Sequence, residues 1–151
     1  TVPAKRDMAL ALGADVVIDG GLADAADAMR EATAGGVDVA VEALGITVTT
    51  AAAIRSLRKL GRMVQIGMPA GAEAQMRLPW DALYSGQLAI YGTRGMPAHR
   101  YPSLLSFLSA TALDLTPMIA REVALSDVSG ELAAFDGPAP PGVAVVTDFA
   151  R

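Results

Sequence analysis

The sequence predicts an α/β protein built on a parallel sheet, and three observations carry that expectation. Val37–Gly45 (Val-Asp-Val-Ala-Val-Glu-Ala-Leu-Gly) and Gly61–Pro69 (Gly-Arg-Met-Val-Gln-Ile-Gly-Met-Pro) are apolar runs of strand length. An Ala-rich stretch of helical character separates them, so the strands should lie parallel with a crossover helix between them. Each run carries a glycine where the strand ends, at the carboxyl edge where open parallel sheets bind ligands, which points to a nucleotide-binding sheet. No G-x-G-x-x-G occurs in the sequence, so the turn that would grip a pyrophosphate is not among these residues.

Taken in order, Lys5–Leu12 sets Met8, Ala9, Ala11 and Leu12 at helical spacing, and Gly13 is placed to close that helix as a left-handed cap. Val16–Ile18 reads as a short buried strand. Leu22–Ala34 lines Leu22, Ala25, Ala26, Met29 and Ala32 along one stripe, an amphipathic helix stopped by Gly35 and Gly36. After the strand Val37–Ala43, Thr47 is placed to cap a helix running to about Leu60, which Gly61 ends before the strand Arg62–Gly67. Met68–Leu78 is a loop with room for a short edge strand, Pro79 opens a short helix Trp80–Ser85, and Leu88–Tyr91 is the next strand. Tyr101–Ala110 is a helix with Pro102 in its first turn and an apolar face of Leu104, Leu105, Phe107 and Leu108. Pro117–Leu125 is an extended link or short strand. Ser126 caps a last helix ending near Gly137, Pro138, Pro140 and Pro141 bar further helix, and Val143–Val146 closes the chain as a strand.

At 151 residues, 52% of them hydrophobic, the chain reads as one domain whose sheet is covered on both faces. Its mean hydropathy of +0.39 agrees. The formal charge is −4 and Arg55, Arg58, Lys59 and Arg62 form the one basic cluster, at the end of a predicted helix where cations complement the dipole; nucleic acid is not an expected partner. No uninterrupted apolar stretch reaches the roughly 18 residues of a membrane span, and Thr1–Arg6 lacks the apolar core of a secretory signal. A soluble, cytoplasmic protein is expected. With no cysteine and His99 as the single histidine, a zinc site cannot be assembled from these residues, and His99 reads as a solvated loop residue. Asp38 and Glu42 fall on one face of their strand but roughly 13 Å apart, too far to share a proton.

Gly13-Ala-Asp15 leading into Val16–Asp19, then the Val37–Gly45 and Gly61–Gly67 runs, resemble in order and spacing the medium-chain, zinc-dependent alcohol dehydrogenase family. The resemblance covers essentially the whole chain, from Lys5-Arg6 to Gly142–Val146. In that family a catalytic, often zinc-binding domain precedes a dinucleotide-binding domain, so residues 1–151 would be part of the second. The implied fold is a Rossmann-like, doubly wound parallel sheet that is incomplete, because the first βαβ unit with its Gly-rich loop is missing. In the strand order 3-2-1-4-5-6, Val16–Ile18 would be the third strand and Val37–Ala43 the fourth, with two absent strands between them. Either a longer protein supplies those strands, which is the expectation, or Val16–Ile18 moves to pair directly with Val37–Ala43.

Carried over by position, the resemblance implies that Lys5 lies near the adenosine ribose and that Ala43, Leu44 and Gly45 line the adenine and ribose side of the cofactor. Ile66, Gly67 and Met68 would face the nicotinamide, the missing side chain at Gly67 giving the ring room. Ala89 and Tyr91 would offer backbone groups to the carboxamide. No catalytic residue or metal ligand is implied within the chain, and Gly142–Ala144 lacks the basic residue with which many relatives meet the pyrophosphate. The implied reaction is hydride transfer between NAD or NADP and an alcohol or its aldehyde or ketone, with zinc held in the absent catalytic domain; the isolated piece is expected to be inactive. Zinc-free quinone or enoyl reductases of the same family, or a non-catalytic nucleotide-binding or association remnant, are the alternatives. Gly92–His99 followed by Tyr101-Pro102 looks like bacterial members of the zinc branch. A homo-oligomer, dimer or tetramer, is implied, with Met76–Leu78 a candidate sheet edge.

Overall fold

The structure, a computed structural model, describes residues 2–111, 113–134 and 141–151. In chain order its elements are α1 (Pro3–Ala11), α2 (Ala25–Ala32), β1 (Val37–Glu42), α3 (Thr47–Arg55), β2 (Leu57–Gln65), α4 (Trp80–Gly86), β3 (Ala89–Gly92), α5 (Tyr101–Thr111), β4 (Ile119–Ala124), α6 (Val128–Ala133) and β5 (Val143–Asp148). They fall into two compact units, residues 16–96 and residues 2–15 with 97–151.

In the first unit β1, β2 and β3 form a parallel sheet in that order. The ladder sets Ala40 beside Met63 and Met63 beside Ile90, and on the opposite face Val41 beside Val64 and Val64 beside Tyr91. α3 and α4 pack on the first of these faces, where Ala40, Met63, Ile54, Leu57 and Leu83 form the buried core with Val37, Ala53, Leu78, Ala82 and Leu88 around it. The second face is not covered as expected: Val41 is 57% exposed and Tyr91 56%. The unit's sheet-packing helices, α3 and α4, serve one face only.

Five expectations in this unit are corrected. Val16–Ile18 belongs to no strand, and Val16 is exposed. A strand needs a ladder partner, and β1 pairs with β2 alone among the described residues, so Val16–Ile18 has not moved in to pair with it. The helix after β1 ends at Arg55, not near Leu60, because Leu57 is drawn into the core beside Val37 and the Ser56 hydroxyl closes the last turn on the Ala53 carbonyl at 2.8 Å. Residues 58–61 then form a bulge: the register jumps from Val37 opposite Leu57 to Val39 opposite Arg62, with Leu60 left-handed at φ +64°. Gly61 is therefore no helix cap; a Cβ there would lie 2.9 Å from the Arg58 carbonyl oxygen. The basic cluster is redistributed, with Arg55 in the last turn of α3 paired to Asp81 at 3.2 Å and Arg58, Lys59 and Arg62 on β2, where Arg58 pairs with Asp38. Finally, Met76–Leu78 forms no edge strand; a 3-10 turn at Gly71–Gln75 precedes it and Leu78 packs on the core.

In the second unit α1 closes with Gly13 at φ +101°, as its sequence predicts. β4 and β5 pair in parallel, with Glu122 beside Val145 and Val123 beside Val146, so Pro117–Leu125 does hold a strand. α6 starts at Val128 with Asp127 at its N-cap, while Ser126 lies in the preceding 3-10 turn. Its predicted end near Gly137, with Pro138 and Pro140, lies outside the described residues. α5 spans the expected residues, but Leu104, Leu105 and Phe107 on its apolar face are exposed.

Candidate functional site

The carboxyl edge of the first sheet is where the sequence places its binding residues, and there the chain leaves β1 and β2 in two short segments that touch. Residues 43–45 follow Glu42, and residues 66–68 follow Gln65. The Glu42 carbonyl accepts hydrogen bonds from the amides of Ile66 at 2.8 Å and Gly67 at 3.0 Å. A Cβ on Gly67 would lie 2.2 Å from the Gly45 nitrogen and 2.6 Å from the Leu44 nitrogen; one on Gly45, at φ +83°, would lie 2.5 Å from the Met68 carbonyl oxygen. Both glycines are thus required by backbone meeting backbone. The space beside Gly67 expected for a nicotinamide ring is filled by residues 43–45, which corrects the reason given for that glycine.

Side chains flanking the crossing stand clear of it: Leu44 is 64% exposed, Ile66 55% and Met68 72%. Beneath them Glu42 is only 3% exposed. Its carboxylate accepts hydrogen bonds from the Leu44 amide at 2.8 Å, the Gly45 amide at 2.9 Å, the Thr49 hydroxyl at 2.6 Å and the Gln65 side-chain amide. Burial pushes this carboxyl up, but the donors Thr49, Gly45, Leu44 and Gln65 together hold it below the ordinary carboxylate range. Sequence reading considered Glu42 only as half of an acid–base pair with Asp38 and so missed this role. Asp38 is paired instead with Arg58.

The N-terminus of α3 is also occupied from within. Glu73 accepts hydrogen bonds from the Thr47 amide at 2.8 Å and the Thr47 hydroxyl, which hold its carboxyl below the ordinary range. Thr47 is therefore a donor to a distant carboxylate and not a side-chain cap, the N-cap being Ile46. This helix end already meets an anion, so it does not offer itself to a phosphate.

On β3 the register sets Tyr91 beside Val64 and Gly92 beside Gln65, and the Thr93 amide donates to the Gln65 carbonyl at 3.0 Å. Ala89 stands opposite Arg62 at the start of the strand, three ladder positions before Gly92, and is not brought beside Gly67. Lys5 lies on α1, in the other unit, and is exposed. His99 is exposed in a 3-10 turn. Among the described residues no group of three or more His, Cys, Asp or Glu could hold a metal ion, so the residues present do not fit a zinc site.

The model of a known family, described as zinc-binding dehydrogenase, matches residues 1–110, which include both strands and the crossing beyond them. The chain belongs to the zinc-binding dehydrogenase family. It is 27% identical over 121 residues to D-arabitol-phosphate dehydrogenase of Enterococcus avium, covering 80% of this chain and 34% of that protein. To sorbitol dehydrogenase of Bacillus subtilis (strain 168) it is 27% identical over 124 residues, 82% of this chain and 34% of that protein. Among solved structures, the alcohol dehydrogenase zinc-binding domain protein from Burkholderia ambifaria superposes with a TM-score of 0.76 at 26% identity, over 89% of this chain and 37% of that one. The chain thus spans about a third of the length of the curated relatives it matches. Its α/β architecture with parallel sheets is the Rossmann-like fold of this family's domain, with an incomplete sheet.

Proposed function

We propose that this zinc-binding dehydrogenase chain supplies the part of an NAD(P) domain that lines the adenine–ribose and nicotinamide sides of the cofactor. The whole protein would be an alcohol or polyol dehydrogenase. The observation that carries the reading is the crossing of residues 43–45 and 66–68 at the carboxyl edge, flanked by the exposed apolar side chains of Leu44, Ile66 and Met68. The names of the relatives, dehydrogenases of D-arabitol phosphate and sorbitol, support a polyhydroxy alcohol as substrate class.

When bound, a nicotinamide supplies hydride exchange at its C4 atom. The work of these residues is to hold and shield. Ala43, Leu44 and Gly45 present backbone to the adenine–ribose side, and Ile66, Gly67 and Met68 to the nicotinamide side. Leu44, Ile66 and Met68 exclude water from the ring faces, where a dry surface strengthens the electrostatics of transfer. Backbone groups of Ala89 and Tyr91 on β3 are assigned to the carboxamide. Zinc ligation would fall to residues other than these.

Saturation-transfer NMR on the 151-residue chain, with NADH and NADPH in turn and ADP-ribose as competitor, tests the reading. Transfer to both adenine and nicotinamide protons, displaced by ADP-ribose, is the expected result. Weak affinity is expected without a G-x-G-x-x-G turn. No transfer to either cofactor at millimolar concentration would refute the proposal.

A further inference from the structure

Glu42 is a buried carboxylate that the proposed chemistry does not use, and its surroundings define what it can do. With the Leu44 and Gly45 amides, the Thr49 hydroxyl and the Gln65 side-chain amide all directed at it, the carboxylate is spent as an acceptor. It has little capacity left to exchange a proton with a substrate, and at 3% exposure little route to one. What it does have is a grip on both segments of the crossing. It holds residues 44 and 45 directly. Through Gln65, whose side-chain nitrogen also donates to the Gly67 carbonyl at 2.9 Å, it reaches the second segment. The Thr50 hydroxyl donates to the Gln65 side-chain oxygen Oε1 at 3.4 Å, which favours the side-chain orientation that turns Nε2 toward Glu42.

We propose that Glu42 is the positioning residue of the cofactor edge: its carboxylate sets the 43–45 turn and, through Gln65, its spacing from residues 66–68. The inference rests on the cofactor reading above for its consequence and on the hydrogen-bond geometry for its cause. A carboxylate is required because each of its contacts is a donor. Glutamine would turn an NH2 toward one of them, and restoring that contact by flipping Gln65 would strip the Gly67 carbonyl of its partner.

The test compares the parent chain with Glu42→Gln, Thr49→Val and Thr49→Ser by amide hydrogen exchange and by NADH titration followed in 15N spectra. In E42Q, exchange at Leu44 and Gly45 should rise at least tenfold while Ala40 and Met63, in the ladder of the same strands, keep their protection. The NADH concentration giving half-maximal shift should rise about tenfold with it. T49V, which removes one donor and leaves the charge, should loosen the same two amides by a smaller factor even if E42Q fails to fold, and T49S should restore them. Unchanged exchange at Leu44 and Gly45 in both E42Q and T49V, or an equal rise at all four amides, would overturn the positioning role. If the parent chain itself shows no NADH shift, the cofactor reading fails and the consequence of Glu42 for binding falls with it, whereas a parent that binds and an E42Q that binds equally well defeats the positioning claim alone.

Discussion

Replacing Gly67 with alanine puts a single methyl group into the crossing of the two strand exits. Gly67 is not in the left-handed region, so alanine can adopt its backbone conformation and the effect is steric. The added Cβ would sit 2.2 Å from the Gly45 nitrogen, 2.6 Å from the Leu44 nitrogen and 2.7 Å from the Ala43 carbonyl carbon, where ordinary contact begins at 3.4 Å. These are main-chain atoms, tied by hydrogen bonds to Glu42, and no rotamer change can move them. Overpacking typically costs 1–3 kcal/mol, and a clash with fixed backbone belongs at the top of that range, about 3 kcal/mol. Urea unfolding followed by circular dichroism and by Trp80, the sole tryptophan and a reporter of this unit, measures it. With a denaturant slope of about 2 kcal/mol/M, the midpoint should fall by about 1.5 M, or the folded baseline should vanish. Gly92→Ala is the control, on the same edge with nothing within 4 Å of its Cβ position and no left-handed φ. It should leave the stability within about 0.5 kcal/mol of the parent, a midpoint shift of about 0.25 M or less, or raise it slightly. G67A unfolding at the parent's midpoint would refute the packing argument.

Other outcomes follow from the same geometry. Met63→Ala, emptying a site 1% exposed, should cost about 2–5 kcal/mol. By contrast Val41→Thr on the exposed sheet face should change stability by about 0.5 kcal/mol or less in the same urea assay. Because the Glu42 carboxyl is depressed in the folded chain, its contribution is present above the unfolded value of about 4.3 and is lost as pH falls through the lower folded value. Urea midpoints from pH 7 to pH 3 should therefore drop on the acid side, and the drop should be shallower in E42Q; equal slopes would contradict this. Glu73→Ala removes the acceptor for both Thr47 donors and should lower the melting temperature and loosen the first turn of α3, read as faster exchange of the Thr47 amide.

Much of this fold is legible in the sequence because its signals are local. Gly13 closing α1, Pro79 opening α4 and the apolar runs at Val37 and Arg62 each act within a few residues, and the structure places elements there. What sequence reading misses depends on distant partners. Val16–Ile18 has strand composition, but a strand exists only where a ladder accepts it. The end of α3 is decided by Leu57 finding the core, which helical periodicity through Leu60 does not reveal. At the site, the glycines at 45 and 67 are readable as a pair at one sheet edge, whereas their reason, mutual backbone contact, appears only when the segments are superposed in space. Glu42 is the clearest omission. Its signal was available, an acid at the end of the strand after Val39-Ala-Val41 that must either find donors or stay out of the core. Thr49 and Gln65, which supply them, lie 7 and 23 residues away.

The central claim is that the crossing of residues 43–45 and 66–68 meets a nicotinamide dinucleotide. Mapping NADH-induced 15N shifts across the chain tests it most directly. Movement concentrated at Leu44, Gly45, Gly67, Met68 and Tyr91 is the predicted result; shifts absent from all five at saturating NADH, or confined to residues 97–151, would contradict it.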